Sequence, residues 1–231
     1  MNSTKKTARI AGVLYFVNAV TGLFSIIYVP SKLFVSGNAA ATAHNILASE
    51  WLFRLGIASE VICAVEYIYL LWVLYRLLSG VSKAHASLMV IFGVAFVPVM
   101  CMNAVSQTAA LMLLRGANFL PVFSQPQRES LALLFLDVRR SGYDVGWIFG
   151  LWLFHFGVCV WRSGFLPRFL GALLIAACFG YLSVSLTTFL LPSYVNIVSR
   201  LANIPLTLGE PAAILWLLIR GAKDQPLEAR A

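Results

Sequence analysis

Charge is scarce in this sequence. Asp, Glu, Lys and Arg make up only 11% of 231 residues, whereas 60% are hydrophobic and the mean hydropathy is +0.85. That balance excludes a water-soluble domain of this size, because the polar surface such a domain needs is missing. Cysteine is sparse too: Cys63, Cys101, Cys159 and Cys178 all sit inside apolar runs without close spacing. They indicate neither a disulfide framework nor a zinc site. His44, His85 and His155 are scattered along the chain, so no metal centre is expected. There is no Gly-x-Ser-x-Gly elbow, His-Glu-x-x-His pair, phosphate-binding loop or dinucleotide fingerprint. Catalytic residues and cofactors are therefore not expected. Strict alternation of apolar and polar residues is also missing, which argues against an outer-membrane barrel.

What the sequence does have is long apolar runs. A spanning helix needs ~20 mainly apolar residues, since the hydrocarbon core is ~30 Å thick and each helical residue rises ~1.5 Å. Six stretches qualify: residues 10–29, 51–76, 86–114, 143–161, 169–191 and 201–220. The expected fold is therefore an all-α integral membrane protein, a single domain over residues 1–231 built as a bundle of six transmembrane helices. The first run reads as a retained anchor rather than a signal peptide, because its apolar core exceeds the usual ~7–15 residues.

In a soluble protein, the net charge of +8 would raise the question of nucleic acid. Here the basic residues collect at alternate helix ends instead. Lys5, Lys6 and Arg9 precede the first run, and Arg76 and Lys83 lie between the second and third. Arg162 and Arg168 lie between the fourth and fifth, and Arg220, Lys223 and Arg230 follow the sixth. The positive-inside rule then places both termini in the cytoplasm, even though Lys32, Arg54, Arg115, Arg128, Arg139, Arg140 and Arg200 fall on the other side. The expected partner is the lipid bilayer of the bacterial inner membrane, with anionic headgroups favoured at the basic face and no nucleic acid.

The loops on the other side are longer. Asn38 can cap an Ala-rich helix reaching Ser49, and Leu131, Leu134, Phe135 and Val138 recur at helical spacing. Both segments read as short amphipathic helices lying at the outer interface, with a lid over a cavity as the functional alternative. Trp51, Tyr75, Tyr143, Trp161 and Tyr194 sit at helix ends and read as an aromatic interface belt. The hairpins at Tyr75–Gly80 and Trp161–Gly164 look faintly alike, which Arg and Gly at cytoplasmic helix ends would explain by themselves.

Polar residues at membrane depth carry the functional signal. Glu60 and Glu66 flank the middle of the second run, and Glu210 lies near the middle of the sixth. A central charge costs ~2.5–3.5 kcal/mol on insertion scales, so each acid should face the bundle and find a partner or a proton. Asn103 and Gln107 form a polar stripe on the third run past Pro98, and Asn18 with Thr21 forms another on the first. His155 is expected to hydrogen-bond within the bundle, and Arg54 to pair with Glu50 four residues earlier. Pro205, Gly209 and Pro211 predict a local break in the last helix. That break would bring Glu210 against the second helix, near Glu60 or Glu66, where a carboxyl could take up and release a proton.

Several motifs resemble one known family across nearly the whole chain. They include Ala8-Arg9-Ile10-Ala11-Gly12-Val13-Leu14-Tyr15, Phe53-Arg54-Leu55-Gly56 and Phe149-Gly150-Leu151-Trp152. Arg162-Ser163-Gly164-Phe165-Leu166-Pro167-Arg168 before Gly180-Tyr181-Leu182, and Gly209-Glu210-Pro211 before Leu215-Trp216, complete the pattern. The chain is similar to the bacterial membrane family catalogued as domain of unknown function 4386. The resemblance implies a six-helix prokaryotic membrane protein, with Asp more often than Glu at the position of Glu60 and no assigned activity. Two functional expectations follow. One is a pathway for an unidentified small solute or a proton through a polar cavity formed by Glu60, Glu66, Glu210, Asn103, Gln107, Asn18, His155 and Arg54. The other is a non-catalytic accessory, stabilising or sensing subunit whose protein partners are unknown.

Overall fold

The computed structural model describes residues 3–116, 120–144 and 146–223, and Arg230 of the basic tail lies outside them. Within the described residues the chain is all helical. α1 (Ser3–Leu23) runs through a π turn (Phe24–Tyr28) into α2 (Val29–Leu33). α3 (Ala39–Ala48), α4 (Glu50–Leu78), α5 (Lys83–Arg115), α6 (Gln125–Asp144), α7 (Gly146–Arg162) and α8 (Arg168–Leu190) follow. A short 3₁₀ turn (Pro192–Tyr194) then leads into α9 (Val195–Ile219).

Among the described residues, five stretches are long and apolar enough to cross a membrane: Thr4–Leu33, Glu50–Leu78, Lys83–Arg115, Arg168–Leu190 and Pro192–Ile219. Their outer faces carry large exposed apolar side chains, with Trp72 54%, Ile91 60% and Ile204 63% exposed. Lipid is the solvent that tolerates such a surface. The run expected at 143–161 forms α7, whose 17 residues reach roughly 26 Å, somewhat short of the ~30 Å core.

The helices pack into two compact units, to which α1, α4 and α5 each contribute a part. The first unit comprises residues 1–17, 66–97 and 144–231. In it, α7, α8 and α9 pack through small residues. A Cβ on Gly157 would stand 2.7 Å from the carbonyl oxygen of Gly171, and one on Gly171 would stand 2.6 Å from that of Gly157. Only glycine allows this approach, the usual device where lipid offers helices no hydrophobic drive to associate. The start of α1 runs antiparallel to the end of α9: Gly12 abuts the backbone of Leu217 and Leu218, and Arg9 Nη2 donates to the Ile219 carbonyl at 3.3 Å. Gly221 meets the Lys5 carbonyl, and Lys223 N–H donates to the Phe165 carbonyl at 3.0 Å. The start of α1, residues 221–223 after α9 and the α7–α8 connection therefore share one end of this unit.

The second unit comprises residues 18–65 and 98–143. Its core contains Val29, Ile46, Phe53, Leu111, Ala132 and Leu136. Asn38 Oδ1 accepts the Ala41 N–H at 2.9 Å and caps α3, which ends at Ala48 as its sequence indicates. Thr42 Oγ1 bonds both the N–H and the carbonyl of Val35, folding α3 back onto the preceding turn.

α9 corrects the expected break. It stays helical through Pro205 and Pro211. Each proline removes one backbone donor, so the Leu201 and Thr207 carbonyls lose their usual helical N–H partner, and the Thr207 hydroxyl bonds the Asn203 carbonyl at 2.7 Å.

Candidate functional site

The polar residues of the second unit gather on Glu60 of α4, which is 1% exposed. Oε1 accepts the Tyr143 hydroxyl at 2.5 Å. Oε2 accepts Gln107 Nε2 at 2.7 Å, and Arg139 Nη2 and Nε at 3.1 and 3.2 Å. Arg139 is 4% exposed, so a carboxylate and a guanidinium neutralise each other out of reach of water. Such a pair is stable only when further hydrogen bonds satisfy both ions, and here Gln107 and Tyr143 provide them for the carboxylate. Tyr143 lies one turn beyond Arg139, whose guanidinium carbon stands 5.5 Å from its ring centre.

The guanidinium reaches further, and the π turn explains why. In that turn the Val29 N–H bonds the Phe24 carbonyl, five residues back. The Ser25 carbonyl would take its π-type bond from residue 30, but Pro30 has no N–H to give. Arg139 Nη2 donates to that carbonyl at 2.9 Å. One side chain of α6 thus ties the π turn to α4.

A polar seam joins α1 to α4 beside this cluster. Asn18 Nδ2 donates to the Cys63 carbonyl at 2.9 Å, and the Ser59 hydroxyl to the Thr21 carbonyl at 3.0 Å. Asn103 is 2% exposed, its backbone carbonyl accepts from Gln107 at 3.4 Å, and Gly142 packs directly on its side chain. Its Nδ2 has no hydrogen-bond partner among the described residues. Arg54 stands apart at the surface, paired with Glu50 at 2.7 Å, while Arg115 reaches the other oxygen of Glu50 at 3.4 Å.

In the first unit, Glu210 of α9 holds two phenols. Tyr15 of α1 donates to Oε2 at 2.5 Å and Tyr181 of α8 to Oε1 at 2.9 Å. Glu210 was expected against the second span; the hydrogen bonds it makes here go to α1 and α8. Glu66 lies half-buried on α4 in this unit, whereas Glu60 belongs to the other. Trp152 of α7, fully buried, lies between Tyr15 and Tyr67, with ring centres 6.0 and 5.6 Å away. His155, expected to hydrogen-bond within the bundle, meets a second histidine. Its Nδ1 lies 2.9 Å from Nδ1 of His85, so one ring donates and the other accepts, and Phe92 stacks on it at 5.6 Å. Among the described residues, no group of three or more potential ligands is placed to hold a metal.

The sequence reading missed Arg139, Tyr143, Tyr15 and Tyr181. Tyr143 was assigned to the aromatic belt and α6 to the interface. Instead, Ala132, Leu136, Arg139 and Tyr143 line the inward face of α6, while Leu134, Phe135 and Val138 are exposed. The apolar stripe thus turns outward, beside the exposed Asp137 and Arg140, and the polar pair Arg139 and Tyr143 turns in, the reverse of the amphipathic rule used for water.

A helical, multi-pass membrane protein with a buried carboxyl cluster in one unit and a half-buried one in the other is the class these features define. The chain belongs to the family described as domain of unknown function (DUF4386), whose profile matches residues 10–221. It is also similar to an uncharacterized protein of Archaeoglobus fulgidus, 35% identical over 89 residues, which covers 38% of this chain. The match spans about half, 51%, of that protein's own length. No solved structure matches the chain.

Proposed function

We propose that the protein is a six-span membrane protein of the bacterial inner membrane with no chemistry of its own, acting as an accessory, stabilising or sensing subunit. Saturation of Glu60 is the observation that carries this reading. Its two oxygens take four donor contacts from Gln107, Arg139 and Tyr143, the charges cancel, and residues of α4, α5, α6 and the π turn are cross-linked. A group so fully engaged serves cohesion better than transfer. The proton-coupled pathway needs acids free to exchange protons, and the pairing of Glu60 with a buried guanidinium weighs against it. α7 supplies the sixth span, its 17 residues following α6 with only Val145 between. The basic end of the first unit, with Lys5, Arg9 and Lys223, supports cytoplasmic termini and contact with anionic lipid.

Flux measurements test the proposal. Sealed vesicles containing the purified protein, loaded with a pH-sensitive dye, should hold an imposed pH gradient as long as protein-free vesicles do. Dissipation of the gradient that disappears in Glu210→Gln would overturn the accessory reading.

A further inference from the structure

Glu60 and Glu210 differ in one respect that decides their chemistry. Glu60 faces a guanidinium, whereas Glu210 has, among the described residues, only the hydroxyls of Tyr15 and Tyr181 as polar partners. Glu210 lies nine residues before the end of α9 at Ile219, about 14 Å into the helix at ~1.5 Å per residue. It is half-buried on a helix whose outer surface carries exposed apolar side chains, Leu208 at 51% and Leu215 at 52%, so hydrocarbon rather than water surrounds α9. A bare carboxylate at such a depth is expensive, and the two phenols soften that cost without cancelling the charge.

We propose that Glu210 is a reversible proton-binding site whose occupancy decides how α1 and α8 are held to α9. The ligand is a proton rather than a metal ion. Both phenols point their O–H hydrogens at the carboxylate, which sets the positive ends of those dipoles beside it, and no group of three or more potential ligands among the described residues is placed to hold a metal. Other ionisable groups carried by the surrounding elements include Glu66 and Tyr67 on α4 and His155 on α7. The cations of these elements within this unit, Lys5, Lys6 and Arg9 on α1, Arg76 on α4, Arg162 on α7 and Arg168 on α8, stand near helix ends, and α9 itself carries no other ionisable group between Arg200 and Arg220. In the ionised state both hydroxyls donate and both helices are clipped to α9. When a proton from water joins one carboxyl oxygen, that oxygen becomes a donor and the phenol facing it must turn to accept. Three O–H hydrogens then share the cluster, and one phenol hydrogen leaves the carboxyl. Proton uptake thereby loosens one of the two clips, and release restores it. No bond other than O–H is made or broken, and the electron count does not change.

This inference does not rest on the accessory reading. Infrared titration of the purified protein in lipid vesicles between about pH 5 and 9, a window that spans buried Glu residues, tests it directly. The stretch of a protonated carboxyl should grow on acidification and be missing in Glu210→Gln. Tyr15→Phe and Tyr181→Phe should keep that band but move its midpoint, because each removes a donor to one oxygen. A band identical in Glu210→Gln, or one insensitive to pH across the window, overturns the proposal. If Glu210→Gln does not fold, unmoved midpoints in both tyrosine variants overturn it equally. Titration without gradient dissipation leaves both proposals standing, whereas titration with dissipation overturns only the accessory reading.

Discussion

Arg139→Met removes the only ionic partner of Glu60 among the described residues while keeping an apolar side chain of similar length. The substitution strands a carboxylate that is 1% exposed and leaves the Ser25 carbonyl without its guanidinium donor. Breaking a buried pair in this way costs about 3–5 kcal/mol. Solvent screening does not reduce that figure here, because both side chains are out of water, at 4% and 1% exposure. Arg54 provides an internal control: its side chain is 45% exposed, so Arg54→Ala should cost only ~0.3–0.5 kcal/mol. Adding Glu60→Gln to Arg139→Met should recover more than half of the loss. The uncompensated charge is gone, and the amide oxygen still accepts from Tyr143 or Gln107. Reversible unfolding in mixed detergent micelles, followed by circular dichroism, gives all four free energies. A cost below about 1 kcal/mol for Arg139→Met, or a double variant no more stable than the single one, would refute the argument that this pair locks the second unit.

Two further outcomes can be checked directly. Gly12→Val should destabilise the first unit by about 1–3 kcal/mol, because its Cβ would collide with the backbone of Leu217 and Leu218; thermal unfolding measures the loss, and an unchanged midpoint would show that α1 and α9 do not approach this closely. In a variant without native cysteines, a membrane-impermeant thiol reagent added outside should label a cysteine at Ser124 and miss one at Ser82, and the reverse pattern would place the basic end outside.

The helices were legible from the sequence because a span in lipid must be both long and apolar, a signal that survives without any knowledge of tertiary contacts. The expected run 86–114 became Lys83–Arg115, and 169–191 became Arg168–Leu190. Glu60 and Gln107 stood out for the same reason, as polar groups where lipid forbids unpaired ones. Their partners did not. Arg139 and Tyr143 are spaced four residues apart on a helix whose composition resembles a surface segment, and the apolar stripe beside them drew attention to the face that turns outward. The sequence signal was the stripe Ala132, Leu136, Arg139 and Tyr143, at spacings of four, three and four. Tyr15 and Tyr181 were hidden for another reason. A tyrosine in an apolar run looks like packing until the acid it serves is known, and Glu210 lies 195 residues from one and 29 from the other.

The π turn in the first helix has a consequence for chain length. Wider than an α turn, it takes up one extra residue between Leu23 and Val29 while the helix continues on both sides. Deleting a single residue within Phe24–Tyr28 would tighten the turn to an ordinary one. Tyr15 and Val29, on the flanking segments, would keep the faces they now present. The segment is therefore a place where the chain can gain or lose a residue without turning the rest of the helix, and what such a deletion forfeits is the carbonyl held out to Arg139.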